Sequence, residues 1–211
     1  MKQTLQRTLF LAILALFLSL SLNAQNYIIN PSTDGGFEGP HGWTILNTSN
    51  VNKWVVGTAE KSAGTSGAFI SNNNSSNTIT NPQATNSKIY IYKDVIVPSN
   101  ASSIVVSFKY KNAGTDVPAP RCLFERTSAF PALPTDGNSV LNGGEFLTVL
   151  NNSSNWVTYT NSDPFSTDRP ATYSSAPLIP GTSYRIVFEW SAAYQTSLTQ
   201  IAPFLFNANE C

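Results

Sequence analysis

The sequence is poor in charge, in histidine and in cysteine. Lys and Arg number 12 and Asp and Glu number 12 among 211 residues, so the formal net charge is zero and only 11% of residues are charged. A nucleic-acid binder needs a basic stripe to displace counterions from phosphates, and no such stripe exists here. A polybasic membrane-surface anchor is excluded on the same ground. The two cysteines, Cys122 and Cys211, are too few for a disulfide-dense miniprotein or a four-thiolate zinc site. No HExxH helix, Walker loop or glycine-rich dinucleotide fingerprint occurs. A Ser-His-Asp or Cys-His mechanism would have to use the one histidine, His41. That residue sits in Gly39-Pro40-His41-Gly42 with no nucleophile motif near it, and it reads as a turn residue.

Beyond the first 24 residues no apolar run is long enough to cross a membrane. Within them, Lys2 and Arg7 precede a nearly unbroken apolar stretch from Leu9 to Leu22, and small Ala24 precedes Gln25. That is the order of a secretory signal peptide, and the run falls short of the ~20 residues a spanning helix needs. Residues 1–24 are read as a signal peptide and residues 25–211 as one domain of 187 residues. The product is expected to be secreted or displayed at the outer cell surface, with no membrane span after cleavage.

What remains is aromatic and rich in turn-formers. Hydrophobic residues make up 41% and aromatics 11%, too many for a disordered chain, and there are 13 Pro and 12 Gly. Apolar positions recur with period two. Ile104, Val106, Phe108 and Tyr110 fall on one face of a strand, with Ser107, Lys109 and Lys111 on the other. Tyr184, Ile186, Phe188 and Trp190 repeat the pattern, as do Ile89, Ile91, Val95 and Val97 against Tyr90, Tyr92 and Asp94. Shorter candidates lie at Tyr27–Asn30, Gly42–Leu46, Lys53–Gly57, Gly67–Ser71, Arg121–Arg126, Glu145–Leu150, Asn155–Thr160 and Ile201–Phe206. Eleven strands separated by Pro, Gly and Asn clusters predict an all-β, two-sheet antiparallel sandwich. Ser71 to Ser87 and Asp163 to Gly181 are expected to be long loops.

Several motifs carry a resemblance. Asn30-Pro31-Ser32-Thr33-Asp34-Gly35-Gly36-Phe37-Glu38-Gly39 leads through His41 to Gly42-Trp43; Trp54-Val55-Val56-Gly57 is followed by Ala63-Gly64-Thr65-Ser66-Gly67-Ala68-Phe69-Ile70-Ser71; Pro180-Gly181-Thr182-Ser183-Tyr184 opens a late strand. Together they resemble carbohydrate-binding-module-like jelly rolls of secreted Bacteroidetes proteins, the cleaved-adhesin or choice-of-anchor-J group. The likeness covers most of residues 30–190. It implies a galactose-binding-like jelly roll and a structural calcium near Asp34 and Glu38. Two departures stand out: the group's Asp-containing final strand is replaced by Phe204-Leu205-Phe206-Asn207-Ala208-Asn209, and no C-terminal sorting domain is visible. The chain is therefore open to being the N-terminal part of a longer protein. Without the family, Phe37 and Trp43 still read as core anchors around a glycine-rich turn, with Asp34 and Glu38 equally readable as solvated carboxylates.

Sugar binding needs exposed rings, because the apolar face of a pyranose stacks on them while polar neighbours take its hydroxyls. Tyr90 and Tyr92 are candidates for such a platform, as are Trp156 and Tyr159, and Tyr173 and Tyr194 near loops. Each could equally be core. A glycosidase would need two facing carboxylates. Glu125, Glu145, Glu189, Asp94 and Asp116 lie on or beside strands with no paired spacing, and Glu189 is expected to point outward. Cys122 and Cys211 either pair with each other, as two cysteines in an exported protein commonly do, or Cys211 has its partner beyond this chain. The expectation is a non-catalytic module that binds a polysaccharide or cell-surface polymer, or mediates adhesion. The alternatives are a small secreted glycoside-active enzyme and a structural spacer domain.

Overall fold

The structure, a computed structural model, describes residues 26–48, 51–79, 88–112, 120–128, 133, 145–151, 153–161, 165–168, 177–191 and 199–210. The proposed signal peptide, Cys211, Asp116, Tyr173 and Tyr194, and the side chain of Glu145, lie outside the described residues. Twelve strands are found, and no helix among the described residues. They are β1 (Asn26–Ile29), β2 (Thr44–Leu46), β3 (Lys53–Gly57), β4 (Gly67–Ser71), β5 (Lys88–Ile96), β6 (Ala101–Asn112), β7 (Arg121–Arg126), β8 (Glu145–Val149), β9 (Ser153–Thr160), β10 (Phe165–Ser166), β11 (Ser183–Ser191) and β12 (Thr199–Glu210).

The strands form two sheets with antiparallel pairings. A five-stranded sheet runs β2-β5-β11-β7-β8. A seven-stranded sheet runs β10-β6-β12-β4-β3, with β1 also on β12 and β9 also on β6. The expected all-β antiparallel jelly-roll architecture holds. Period-two alternation explains which faces meet. Ile104, Val106 and Phe108 of β6, Ile89, Ile91 and Val95 of β5, and Tyr184, Ile186, Phe188 and Trp190 of β11 are all buried in one core. Burial of each such side chain is worth about 1.5–3 kcal/mol before chain entropy is subtracted. Phe108 meets Phe188 edge-on across the layers with centroids 5.1 Å apart, and within the five-stranded sheet Phe124 of β7 stacks on Tyr184 of β11 at 5.0 Å.

The turn after β1 behaves as its residues require. Phe37 and Trp43 are buried with ring centroids 5.3 Å apart, and Trp43 Nε1 donates to the Asp34 carbonyl at 2.8 Å. The left-handed backbone falls on Phe37 itself (φ 61°) as well as on Gly39 and Gly42. Core anchorage of its ring holds Phe37 in a conformation that side-chain sterics disfavour. His41 Nδ1 accepts from the Trp43 amide at 3.0 Å, so the histidine is a turn residue. Burial, and then the charge of Lys93, hold it below its ordinary pKa.

Two expectations need correction. The segment from Asp163 to Gly181 is not wholly loop. Phe165–Ser166 pairs with Ile104 and Ser103, and the Phe165 ring packs 4.7 Å from Phe124. A two-residue strand has no periodicity to read. Glu189 does not point into solvent either: only 2% of it is exposed. The outer side of the five-stranded sheet is itself covered there.

Candidate functional site

The strand register lays out the outer face of the five-stranded sheet in rows. Leu46, Tyr90, Glu189 and Arg121 lie side by side; next come Thr44, Tyr92, Val187 and Leu123; then Asp94, Arg185 and Glu125. Strand pairing thus brings Tyr90, Tyr92, Asp94 and Glu189 together, as their shared phase in the sequence requires.

The middle of this face is closed. Tyr90, Leu123, Val187 and Leu133 form a second buried cluster, with Leu46 and Tyr92 packed against it. Leu133, from the Pro-rich segment between β7 and β8, covers the sheet. Tyr90 has no exposed surface, so its ring is not offered to a ligand, and the expected two-ring platform reduces to Tyr92.

At one end, the buried Glu189 carboxylate accepts from Arg121 Nη2 and from Arg121 Nε at 3.1 Å, and Lys88 Nζ lies 3.6 Å away. Burial pulls the Lys88 pKa down and the Glu189 charge opposes that shift. Such a cluster holds strands β5, β11 and β7 in register. It needs both signs of charge, because an uncompensated buried ion costs several kcal/mol.

The other end is open. Arg185 grips Asp94 with two parallel bonds, Nε to Oδ1 at 2.6 Å and Nη2 to Oδ2 at 2.8 Å. Its guanidinium sits 4.4 Å from the centroid of the Tyr92 ring. The Asp94 bond, foremost, raises the Arg185 pKa, so the group stays a cation. Asp94 is 43% exposed on its side chain, and beyond it along β5 Ile96 is 70% exposed. A carboxylate has about four lone-pair sites. Arg185 takes two here, which leaves acceptors for hydroxyl donors beside a fixed aromatic edge and an apolar side chain.

The other expected ligand residues lie elsewhere. Trp156 is on the outer face of the seven-stranded sheet, with Lys111 Nζ 5.6 Å from its ring. Tyr159 turns inward and packs 5.0 Å from Phe108. The four aromatics thus serve three different surfaces. Asp34 accepts from the Asn30 amide at 2.8 Å and pairs with Lys93 at 3.2 Å. Glu38 accepts from the Thr65 and Ser66 amides, at 2.6 and 3.0 Å, and from the Thr65 hydroxyl. These donors lower the Glu38 pKa. The two carboxylates have separate protein partners. Calcium takes six to eight oxygen ligands, and no group of three or more His, Cys, Asp or Glu suited to a metal occurs among the described residues. Cys122, buried in β7, has no disulfide partner among the described residues; its proposed partner Cys211 lies outside them.

No family model matches the sequence, and no curated protein does. Solved structures do. The xylan-binding CBM22-1 domain of Paenibacillus barcinonensis Xyn10C aligns with 90% of this chain and 99% of its own, at 12% identity and a TM-score of 0.50. The two share a fold. Less similar are TmCBM61, solved with β-1,4-galactotriose (11% identity, 87% of this chain and 98% of that one, TM-score 0.47), and a putative sugar-binding protein of Bacteroides thetaiotaomicron (12%, 89% and 95%, TM-score 0.43). The antiparallel sandwich read from strand periodicity is thus a fold shared with the CBM22-1 domain.

Sequence reasoning missed Arg185 and Arg121 as site residues. Their signal was present but non-local: each stands in phase with a carboxylate of a neighbouring strand.

Proposed function

We propose that the protein is a non-catalytic glycan-binding module, exported and working outside the cell or at its surface. Its contact region is the open end of the five-stranded sheet. The observation that carries this reading is the Arg185–Asp94 clamp laid against Tyr92, a rigid polar pair beside an aromatic ring, with Asp94 partly open to solvent. Such a pair holds sugar hydroxyls, and the ring edge with Ile96 supplies apolar surface for the C–H face. The shared fold with a domain whose name states xylan binding supports the same class of ligand. Membership of the cleaved-adhesin or choice-of-anchor-J group, and an adhesive role within a longer protein, belong to this proposal.

The enzyme reading is less well supported. Asp34, Glu60, Asp94, Glu125 and Glu189 each have a cationic partner, and Glu38 is taken up by Thr65 and Ser66. A hydrolase needs one carboxylic acid and one carboxylate facing a common gap.

Affinity electrophoresis against neutral xylans, galactans and glucans tests the proposal. Retardation by at least one polymer is expected, with an about tenfold loss in Arg185→Ala and in Tyr92→Ala. Retardation by none, or equal retardation of wild type and both variants, overturns it.

A further inference from the structure

The opposite face of the sandwich carries a cleft that the site above does not use. Its volume is 440 Å³, and it opens between the turn after β1 and the β3–β4 connection, with Lys109 of β6 in its lining. Pro31 and Ala63 give it apolar walls, and Gly36 and Gly64 add backbone without side chains. Both carboxylate oxygens of Glu38, on the wall, are drawn to Thr65 and Ser66.

Two lysines share this outer face of β6. Lys111 is paired with Glu60 at 3.5 Å. Lys109 is exposed, and among the described residues no ion pair involves it. The cleft thus sets an ammonium with no ion pair among the described residues beside the apolar Pro31 and Ala63, while the one carboxylate in its lining, Glu38, is held by Thr65 and Ser66. Ser62, also in the lining, has a hydroxyl sequestered with no hydrogen-bond partner among the described residues. Such a group costs free energy until something satisfies it, and a rotation between staggered side-chain positions would re-aim it. Beside Lys109 in the β6–β9 register stands exposed Thr158, and Trp156 lies on the same face next to Lys111.

We propose that this cleft is a second saccharide site, selective for a carboxylated sugar: one uronosyl residue of an acidic polysaccharide. The carboxylate would lie on Lys109, the apolar C–H face against Pro31 and Ala63, and hydroxyls on Ser32 and Ser62. The polymer would leave along Thr158 and Trp156. The volume falls within the ~300–1,000 Å³ of small-ligand sites. This site lies on the other sheet from the Tyr92 region and stands without it.

Titration calorimetry of the full chain with polygalacturonate and with its methyl-esterified form tests the proposal. Wild type is expected to bind the acid form at least about tenfold more tightly, the value of one charge-assisted contact, and to weaken with added salt. Lys109→Gln should lose that preference, Lys109→Arg should keep it, and Ala63→Trp, which fills the cleft from an exposed loop, should abolish binding of the acid form. Arg185→Ala should leave it intact, which separates failure of this site from failure of the Tyr92 region. Equal binding of both polymers by wild type, or unchanged polygalacturonate binding in Lys109→Gln and Ala63→Trp, overturns it.

Discussion

Arg185 lies against the ring of Tyr92 at 4.4 Å, one strand away on the same face of the five-stranded sheet. The stack and the Asp94 clamp both depend on a planar, forked cation. Lysine has neither property. Arg185→Lys is therefore expected to weaken neutral-glycan retention nearly as much as Arg185→Ala, while lowering stability by only about 1 kcal/mol. Retention equal to wild type in the lysine variant would show that charge alone serves at this position.

Glu189 is a different kind of charge. It is buried between Arg121 and Lys88, so Glu189→Gln leaves two cations facing each other with little water. A loss of about 3–5 kcal/mol in urea unfolding is expected. Replacing Glu189, Arg121 and Lys88 together by Met should recover part of that loss. A change below about 1 kcal/mol in Glu189→Gln would mean that the cluster is wetter than its burial indicates.

Acid should loosen the turn after β1. Glu38 titrates below its ordinary 4.5 because Thr65 and Ser66 donate to its carboxylate. The unfolded chain therefore takes up that proton first. The contribution is complete above about pH 4.5 and is lost as pH falls through the depressed folded value. His41 has the same sign, since burial lowers it from 6.5; its contribution is complete above about pH 6.5 and fades in acid. Thermal midpoints across this range should fall with pH. Glu38→Gln should flatten only the most acidic part. Persistence of the full acid slope in that variant would assign it to other carboxylates.

Gly64 has φ 69°, and a Cβ there would run into Glu38 Oε1. Gly64→Ala should cost about 1–2 kcal/mol from backbone sterics alone, more if the Glu38 bonds break. Unfolding curves measured on the variant and on Glu38→Gln should show the two effects to be non-additive, because one contact serves both. Strict additivity would separate them.

Burial pushes the Cys122 thiol well above its ordinary pKa, so thiolate is scarce in the native state. Iodoacetamide at about pH 8 should leave Cys122 unmodified in the folded chain and alkylate it after unfolding without reductant. A disulfide to Cys211 would instead leave no Cys122 thiol to modify in either state. Rapid native alkylation would contradict the burial of β7.

The core was legible from alternation because one rule governs it. Ile104, Val106 and Phe108 share a phase, and so do Ile186, Phe188 and Trp190. Alternation says which residues share a face, not whether that face is wet. Glu189 and Tyr90 fall on the outer side as their phase requires, yet both are buried there, Tyr90 within the Leu133 cluster and Glu189 beside Arg121 and Lys88. The signal for such a cover lies in a Pro-rich connection without periodicity. The Glu38 contact with Thr65 joins residues 27 positions apart and leaves no local trace except a glycine at 64 that must keep its left-handed backbone.

Strand β12 lies between β6 on one side and β1 and β4 on the other. During synthesis, the earlier strands of that layer emerge as three parts with no shared ladder: β6 with β9 and β10, β3 with β4, and β1 by itself. They can join only once residues 199–210 have left the ribosome, so closure of the layer is a late event. Until then their open edges are exposed to chaperones and to one another.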